Sequence, residues 1–497
     1  MGVITFQLPA DLADAAVLQE LELASIAGGQ DHMPYTTDAQ VNGDRLILTR
    51  DMNDSGSLVV PWTIPGAGRL MTRSATLVER ESPYNLLLEL ARGKVNQVRC
   101  HAADWVHNGL LPPNTLRERI DGLTKAFSLA VASPPEKGTA ANARDSLLNA
   151  FNTADELVRA YTSRVFELRH ERQDQFDTGL GCRLDGRPPS DAEASHFTET
   201  FNTASVPFPW RAIEPMRGTY HWEQADQLVE WASSRGLRMI GGPLIDFDGH
   251  NLPDWIWENA CDLSSLADIL SGFVDTVVRR YAQRIRSWQV VAGANCSGIL
   301  ARRDEELIWL TLKLAETVKR IHPALEIIVG IAQPWGDYLA SQERSKTPFI
   351  FADDLLRTGV RLAALELEFL MGVSPRGSYC RDPLELSRLL DLYALLGVPI
   401  QATLGYASTG EADKLADPDQ RANLGWWGDG LSQQNQSAWI KSFASLVLCK
   451  PYVRNVQWAQ WSDAVPHTFP SCGLLDSNGN SKPALAELKN LRARHLK

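Results

Sequence analysis

Apolar and polar positions follow three different rhythms along the 497-residue chain. Up to about residue 105, short alternating runs (Val3–Leu8, Arg45–Thr49, Leu58–Trp62, Ala75–Glu79) are separated by Gly, Asp, Asn and Pro clusters. Period two broken by turn residues predicts strands, so residues 1–110 are expected to form a β-rich, sandwich-like module. Helix periodicity follows. Pro112-Pro113-Asn114-Thr115 is a start signal, and after Ser133-Pro134-Pro135 an apolar stripe runs Leu147, Phe151, Leu157, Val158, Tyr161, Val165, Leu168. At ~1.5 Å per residue this stripe implies a helix of about 45 Å. Residues 111–175 therefore read as a helical clamp between domains, or as a contact between subunits.

From residue 176 to 497 the rhythm alternates. Strand-like segments fall at Thr178–Cys182, Thr200–Ser205, Arg238–Leu244, Ser287–Ala292, Glu326–Ile331, Leu362–Phe369, Val398–Thr403 and Asn455–Trp461. Amphipathic stretches such as Glu223–Ser234, Leu266–Gln283, Glu305–Ile321 and Pro383–Leu396 lie between them. Eight strands, each followed by a helical segment, predict a C-terminal (β/α)8 barrel. The alternative is a doubly wound open sheet, but no GxGxxG or GxxxxGK[ST] supports a nucleotide fold.

Composition changes this picture little. Charged residues make up 22% and hydrophobic residues 44%, ordinary globular values. The net charge of −11 argues against nucleic acid or an anionic membrane as partner and leaves neutral ligands such as sugars. The seven cysteines are scattered with no CxxC pair, so neither a zinc ribbon nor a thioredoxin-type motif is expected, and the odd, dispersed set suggests mostly buried thiols in a reducing compartment. There is no apolar run of 18 residues, and the N-terminus lacks a basic, then apolar, leader pattern. A cytoplasmic location is the expectation, with no metal and no cofactor.

One stretch carries a more specific order: Phe201-Asn202, Trp210, Glu214-Pro215, Gly218, Tyr220, Trp222, Ala225-Asp226, Val229, Ala232, Gly236. It continues through Gly241-Gly242-Pro243-Leu244-Ile245 and Leu252-Pro253-Asp254-Trp255 to Tyr281 and Trp288-Gln289-Val290-Val291-Ala292-Gly293. Trp461-Ser462-Asp463, Gly473-Leu474-Leu475-Asp476 and Lys482-Pro483-Ala484 complete it. Over about 320 residues this order resembles family 10 of the glycoside hydrolases, the xylanase family. The resemblance implies a sugar-cleaving barrel, yet it sets Gly293 at the family's acid/base glutamate and Leu404 at its nucleophile. Glu368, Leu370, Gly242, Asp246 and Phe247 replace further residues of the family's centre. Glycoside hydrolysis generally needs two carboxyl groups, one to protonate the leaving oxygen and one to attack or to activate water. Gly and Leu do neither, so the family's retaining mechanism is not expected here.

Three readings follow: a hydrolase with a relocated carboxylate pair, a non-catalytic carbohydrate-binding pseudoenzyme, or a scaffold that uses the barrel structurally. For the first, Glu368 and Asp246 are the acid and base candidates, because both sit near strand ends that face a barrel mouth. Glu366, two residues before Glu368, should share its side of the strand. Its alternative role is a salt bridge to an arginine such as Arg183. Asp248 is a binding candidate in the same loop as Asp246. Sugars stack on aromatic faces, which singles out Trp210, Trp335, Trp458 and Trp461 near strand ends, with Gln333, Gln460 and Asp463 as hydrogen-bonding neighbours. Trp426-Trp427, flanked by glycines in the loop after the seventh strand, reads as a binding lid. Cys296 is expected to be a buried, inert thiol. The partner expected is an oligo- or polysaccharide, with a homo-oligomer contact through the N-terminal and helical region.

Overall fold

The computed structural model describes residues 2–12, 14–133, 139–247, 251–259, 262–296 and 303–497. Near the N-terminus two sheets form. In one, Gly2–Gln7 lies between Arg45–Arg50 (antiparallel) and Tyr84–Asn85 (parallel), and Asp38–Asn42 extends the Arg45–Arg50 edge. The other is built on the hairpin Gly56–Ile64 and Gly68–Leu77, with Ser25–Gly28 and Met33–Pro34 beside it. These strands coincide broadly with the alternating runs. The β-rich expectation for residues 1–110 nevertheless misses a helix of 22 residues, Leu86–His107, whose start is capped by the Asn85 side chain accepting from the Leu88 amide.

Two more helices follow, Asn114–Ala132 and Thr139–His170. The second has 32 residues and buries the stripe Leu147, Ala150, Phe151, Ala154, Leu157, Val158. The stripe is covered from within the chain. The long helix packs on Leu86–His107 and Asn114–Ala132, and Trp105 stacks on Tyr161 at 4.0 Å between centroids. Near its C-terminal end, Arg169 donates to the carbonyls of Leu448 (2.7 Å) and Cys449 on the barrel. The apolar face of the helix is thus covered by other parts of the chain.

The barrel is closed. Its strands are Gly179–Arg183, Thr203–Val206, Arg238–Gly241, Ser287–Ala292, Glu326–Ile331, Ala364–Met371, Ile400–Tyr406 and Val453–Trp458, all parallel. Each pairs with its successor, and the eighth returns to the first through Asn455↔Gly179 and Val456↔Leu180. The third and fourth close through Gly241↔Trp288. Helices follow the strands at Asp191–Thr200, Glu223–Ser234, Leu263–Tyr281, Asp304–Ile321, Pro348–Arg357, Pro383–Ala394, Gln433–Cys449 and Pro483–His495. Their starts carry the expected chemistry. Ser190 and Glu193 form a capping box, and Thr347 and Asp382 cap helices with proline at the first position. Alternation sends Leu365, Leu367 and Phe369 outward, into the apolar layer shared with the helices.

The N-terminal part and the barrel are joined by buried charge and by a shared sheet. Lys94 on Leu86–His107 meets Asp382 at 2.7 Å with both side chains almost fully buried. Trp426–Trp427 pairs antiparallel with Gly68 and Arg69, adding a barrel loop as edge strand to an N-terminal sheet. Among the described residues no helix is long and apolar enough to cross a membrane.

Candidate active site

The inside of the barrel is unusually polar. Glu366 and Glu368 both point inward from the sixth strand and are 2% and 8% exposed. Glu366 accepts hydrogen bonds from Gln289 Nε2 on the fourth strand and Thr403 Oγ1 on the seventh. Burial pushes its pKa up, against the pull of Arg183 and of hydrogen bonds from Thr403 and Gln401. No ion pair to Arg183 within salt-bridge distance forms among the described residues, so the anticipated bridge is only a through-space attraction. Burial also pushes Glu368 up, opposed first by Arg376 and then by Arg183. One oxygen of Glu368, and the Nε of Arg183, are buried without a hydrogen-bond partner.

Asp246 lies on Ile245–Asp246, which pairs with Val291 and Ala292 at the top of the fourth strand. It is 5% exposed. Arg376, from the loop after the sixth strand, crosses the mouth and donates to Asp246 Oδ2 at 2.9 Å. The two candidate carboxyl groups therefore lie around one guanidinium. A cavity of about 310 Å³ opens at this C-terminal face, lined by Arg183, Asp185, Phe208, Asp246, Arg376 and Gln460 among others.

Asp185 was not anticipated. Burial pushes its carboxyl up to about 7, opposed by backbone amides of Trp461 and Ser462 and by Arg187. The signal was present in the sequence: Asp185 stands two residues beyond Arg183 at the end of the first strand, the place where barrel enzymes carry their chemistry. Asp248 lies outside the described residues.

The tryptophans are where the expectation fails. Trp210 stacks on Phe273 of Leu263–Tyr281 at 4.4 Å and donates its indole N–H to Glu214. Trp335 packs edge-on to outward-facing Phe369, Trp458 against Trp439 of Gln433–Cys449, and Trp461 against Phe197 and Phe201. All four are buried in the layer around the barrel. Trp426 and Trp427 are strand residues on the N-terminal sheet, and Trp427 sits edge-on to Phe443. None of the six lines the mouth cavity.

The polar neighbours divide. Gln460 lines the cavity, but its amide donates to Asp463 (2.8 Å) and accepts from the Phe469 amide (3.0 Å). Asp463 carries the Lys482 ammonium and accepts from the Gly473 amide, a buried network that ties the C-terminal segment to the eighth strand. Gln333 reaches across to the Pro375 carbonyl at 2.9 Å, bracing the loop that delivers Arg376. Asp413, Asp463 and His467 form an acidic cluster close enough to share an ion. Lys482 already neutralises Asp463, however, and Asp413 accepts from Ser471 and His467.

The positions assigned to the family's glutamates are equally definite. Gly293 follows the fourth strand with φ of +69°, a left-handed conformation that suits glycine. Leu404 is in register with Phe369 and Trp458 and buried among them, so its side chain points to the outer layer. The inward positions beside it are Thr403 and Gly405, and neither carries a carboxyl group. Cys296, beyond Gly293, has its thiol pushed up to about 12 by burial, which disfavours the thiolate form.

The fold is a (β/α)8 barrel, and its sequence is similar to those of xylanases. A sequence model described as "Glycosyl hydrolase family 10" matches residues 172–306. The endo-1,4-beta-xylanase B of Thermotoga neapolitana is 26% identical over 298 residues, 58% of this chain and 79% of that protein. The endo-1,4-beta-xylanase 1 of Gibberella zeae is 29% identical over 308 residues, 57% and 78% of the two chains. Among solved structures, the intracellular xylanase of Thermoanaerobacterium saccharolyticum, in complex with xylotriose, covers 65% of this chain and 97% of its own. Its identity is 19% and its TM-score 0.48. The chain thus resembles family 10 xylanases through its barrel.

Proposed function

We propose that the C-terminal mouth of the barrel binds a carbohydrate without cleaving it by the two-glutamate retaining route. The supporting observation is the shared guanidinium. Arg376 is ion-paired to Asp246 and is the first cation to oppose the effect of burial on Glu368, so one guanidinium acts on both carboxyl groups nearest the expected centre. The unpaired oxygen of Glu368 and the unpaired Nε of Arg183 supply an acceptor and a donor for ligand hydroxyls. Calorimetry with xylotriose tests this reading. Binding with no reducing ends released over a long incubation supports it, and absence of binding to xylotriose and to a wider glycan panel rejects it.

One observation favours a second reading, hydrolysis by a relocated pair. A carboxyl held near neutrality at a cavity edge is suited to donate a proton. Asp185 or Glu368 would then be the acid and Asp246 the base, on separate strands. Release of reducing ends that is abolished by Asp246→Asn, and by Asp185→Asn or Glu368→Gln, would establish this reading in place of the first.

A further inference from the structure

A cavity larger than the one at the mouth lies elsewhere on the barrel. It lies at the opposite, N-terminal end of the barrel, with a volume of about 720 Å³, within the ~300–1,000 Å³ range of small-molecule sites. Arg169 at the end of the long helix forms part of its wall. Three features point to an occupant. Asn455, from the eighth strand, lines the cavity at 6% exposure, and neither its amide nitrogen nor its amide oxygen has a hydrogen-bond partner. A buried amide with both ends unmet is costly and marks a place where a polar group is received. Arg238, at the start of the third strand, gives one hydrogen bond to the Asp177 carbonyl (3.1 Å) and forms no ion pair among the described residues. Part of the wall is apolar, where Ile240, Ile328 and Ala364 form a small cluster separate from the main core, and the Glu326 carboxylate that also lines it is already paired with Arg286 and Arg454.

From this arrangement we propose a second binding site at the N-terminal face, for a small organic anion with an apolar body and a polar far end. The planar guanidinium of Arg238 takes the carboxylate. The apolar body lies on Ile240 and Ile328, and the far hydroxyl or carbonyl meets Asn455. Catalysis is not implied, because barrel chemistry gathers at the other face. The site is independent of the carbohydrate reading.

The probe is 4-hydroxybenzoate, titrated into the full chain by calorimetry, with 4-hydroxybenzyl alcohol as the uncharged control and xylotriose as competitor. The expected result is one site per chain, weakened about tenfold or more by Arg238→Ala and by Asn455→Ala. The alcohol should bind more weakly than the acid and be indifferent to Arg238→Ala, and xylotriose should not displace the acid. Circular dichroism confirms that each variant is folded. Exposed Arg238 keeps the test valid even if Asn455→Ala unfolds. No binding to the wild type, equal binding by Arg238→Ala, or displacement by xylotriose would each overturn the proposal and leave a water-filled cavity.

Discussion

Replacing Glu368 by methionine should make the protein more stable. Glu368 is 8% exposed, and one of its oxygens lacks a hydrogen-bond partner. An unmet buried acceptor costs about 1–3 kcal/mol, and methionine removes it at nearly the same side-chain length. The opposing effect is loss of a countercharge for two arginines. Arg376 retains Asp246 at 2.9 Å, and Arg183 makes no ion pair with Glu368 in the first place. The expected net gain at neutral pH is therefore about 1–3 kcal/mol. The pH dependence has a defined sign. Burial raises the folded-state pKa of Glu368 above its ordinary 4.5. The folded protein thus holds this proton more tightly than the unfolded chain, and the stability linked to it is full below 4.5 and lost as pH rises through the raised value. The advantage of the variant should be small near the lower limit and grow with pH. Urea unfolding at several pH values from about 5 to 8 measures this as a shift in midpoint at constant slope. If Glu368→Met is less stable than the wild type at neutral pH, or its advantage does not grow, Glu368 is a structural counter-ion. Its place in a ligand site would then fall.

The remaining predictions concern groups that hold the molecule together. Lys482→Met should cost about 3–5 kcal/mol in urea unfolding, because it strands Asp463 in the core, and adding Asp463→Asn should recover part of the loss. Lys94→Ala should cost a similar ~3–5 kcal/mol and make the junction between the N-terminal part and the barrel sensitive to limited proteolysis. Trp427→Ala should lower stability by about 2 kcal/mol while leaving xylotriose affinity unchanged, since the ring packs on Phe443 away from the mouth. Gly293→Glu with Leu404→Glu should yield no xylanase activity and should destabilise the barrel. The first strains a φ of +69° and the second drives a carboxylate into the outer apolar layer.

The barrel was legible because its strands are buried apolar runs closed off by polar residues. Ser287–Ala292 and Glu326–Ile331 match the expected bounds residue for residue, as does the helix Glu223–Ser234. The helix Leu86–His107 was missed although its apolar residues fall at helical spacing. Gly93 in its middle lets the helix lie against the backbone of Arg73 and Ser74, where a Cβ would come within 2.2 Å of the Arg73 carbonyl oxygen. The site was read in part. Period-two spacing placed Glu366 and Glu368 inside, and the strand-end rule placed Asp246. The tryptophans failed because facing is set by strand parity and long-range partners, neither of which composition reveals. Trp458 is one residue from inward-facing Gln457, and the partner of Trp426–Trp427 lies near residue 68, in another part of the fold.

The likeness to xylanases does not depend on what the centre of the barrel holds. Strand pairing and the outer apolar layer specify the barrel, and both are intact, so the fold survives whatever the interior holds. Barrel interiors relieved of function would be expected to fill with Val, Ile and Leu. This one instead holds Arg183, Gln289, Glu366, Glu368, Gln401 and Thr403, a polar column below Arg376 and Asp246. A column with unmet hydrogen-bonding groups works against stability. Those unmet groups are what favours the proposed ligand at the mouth over a barrel serving as scaffold alone.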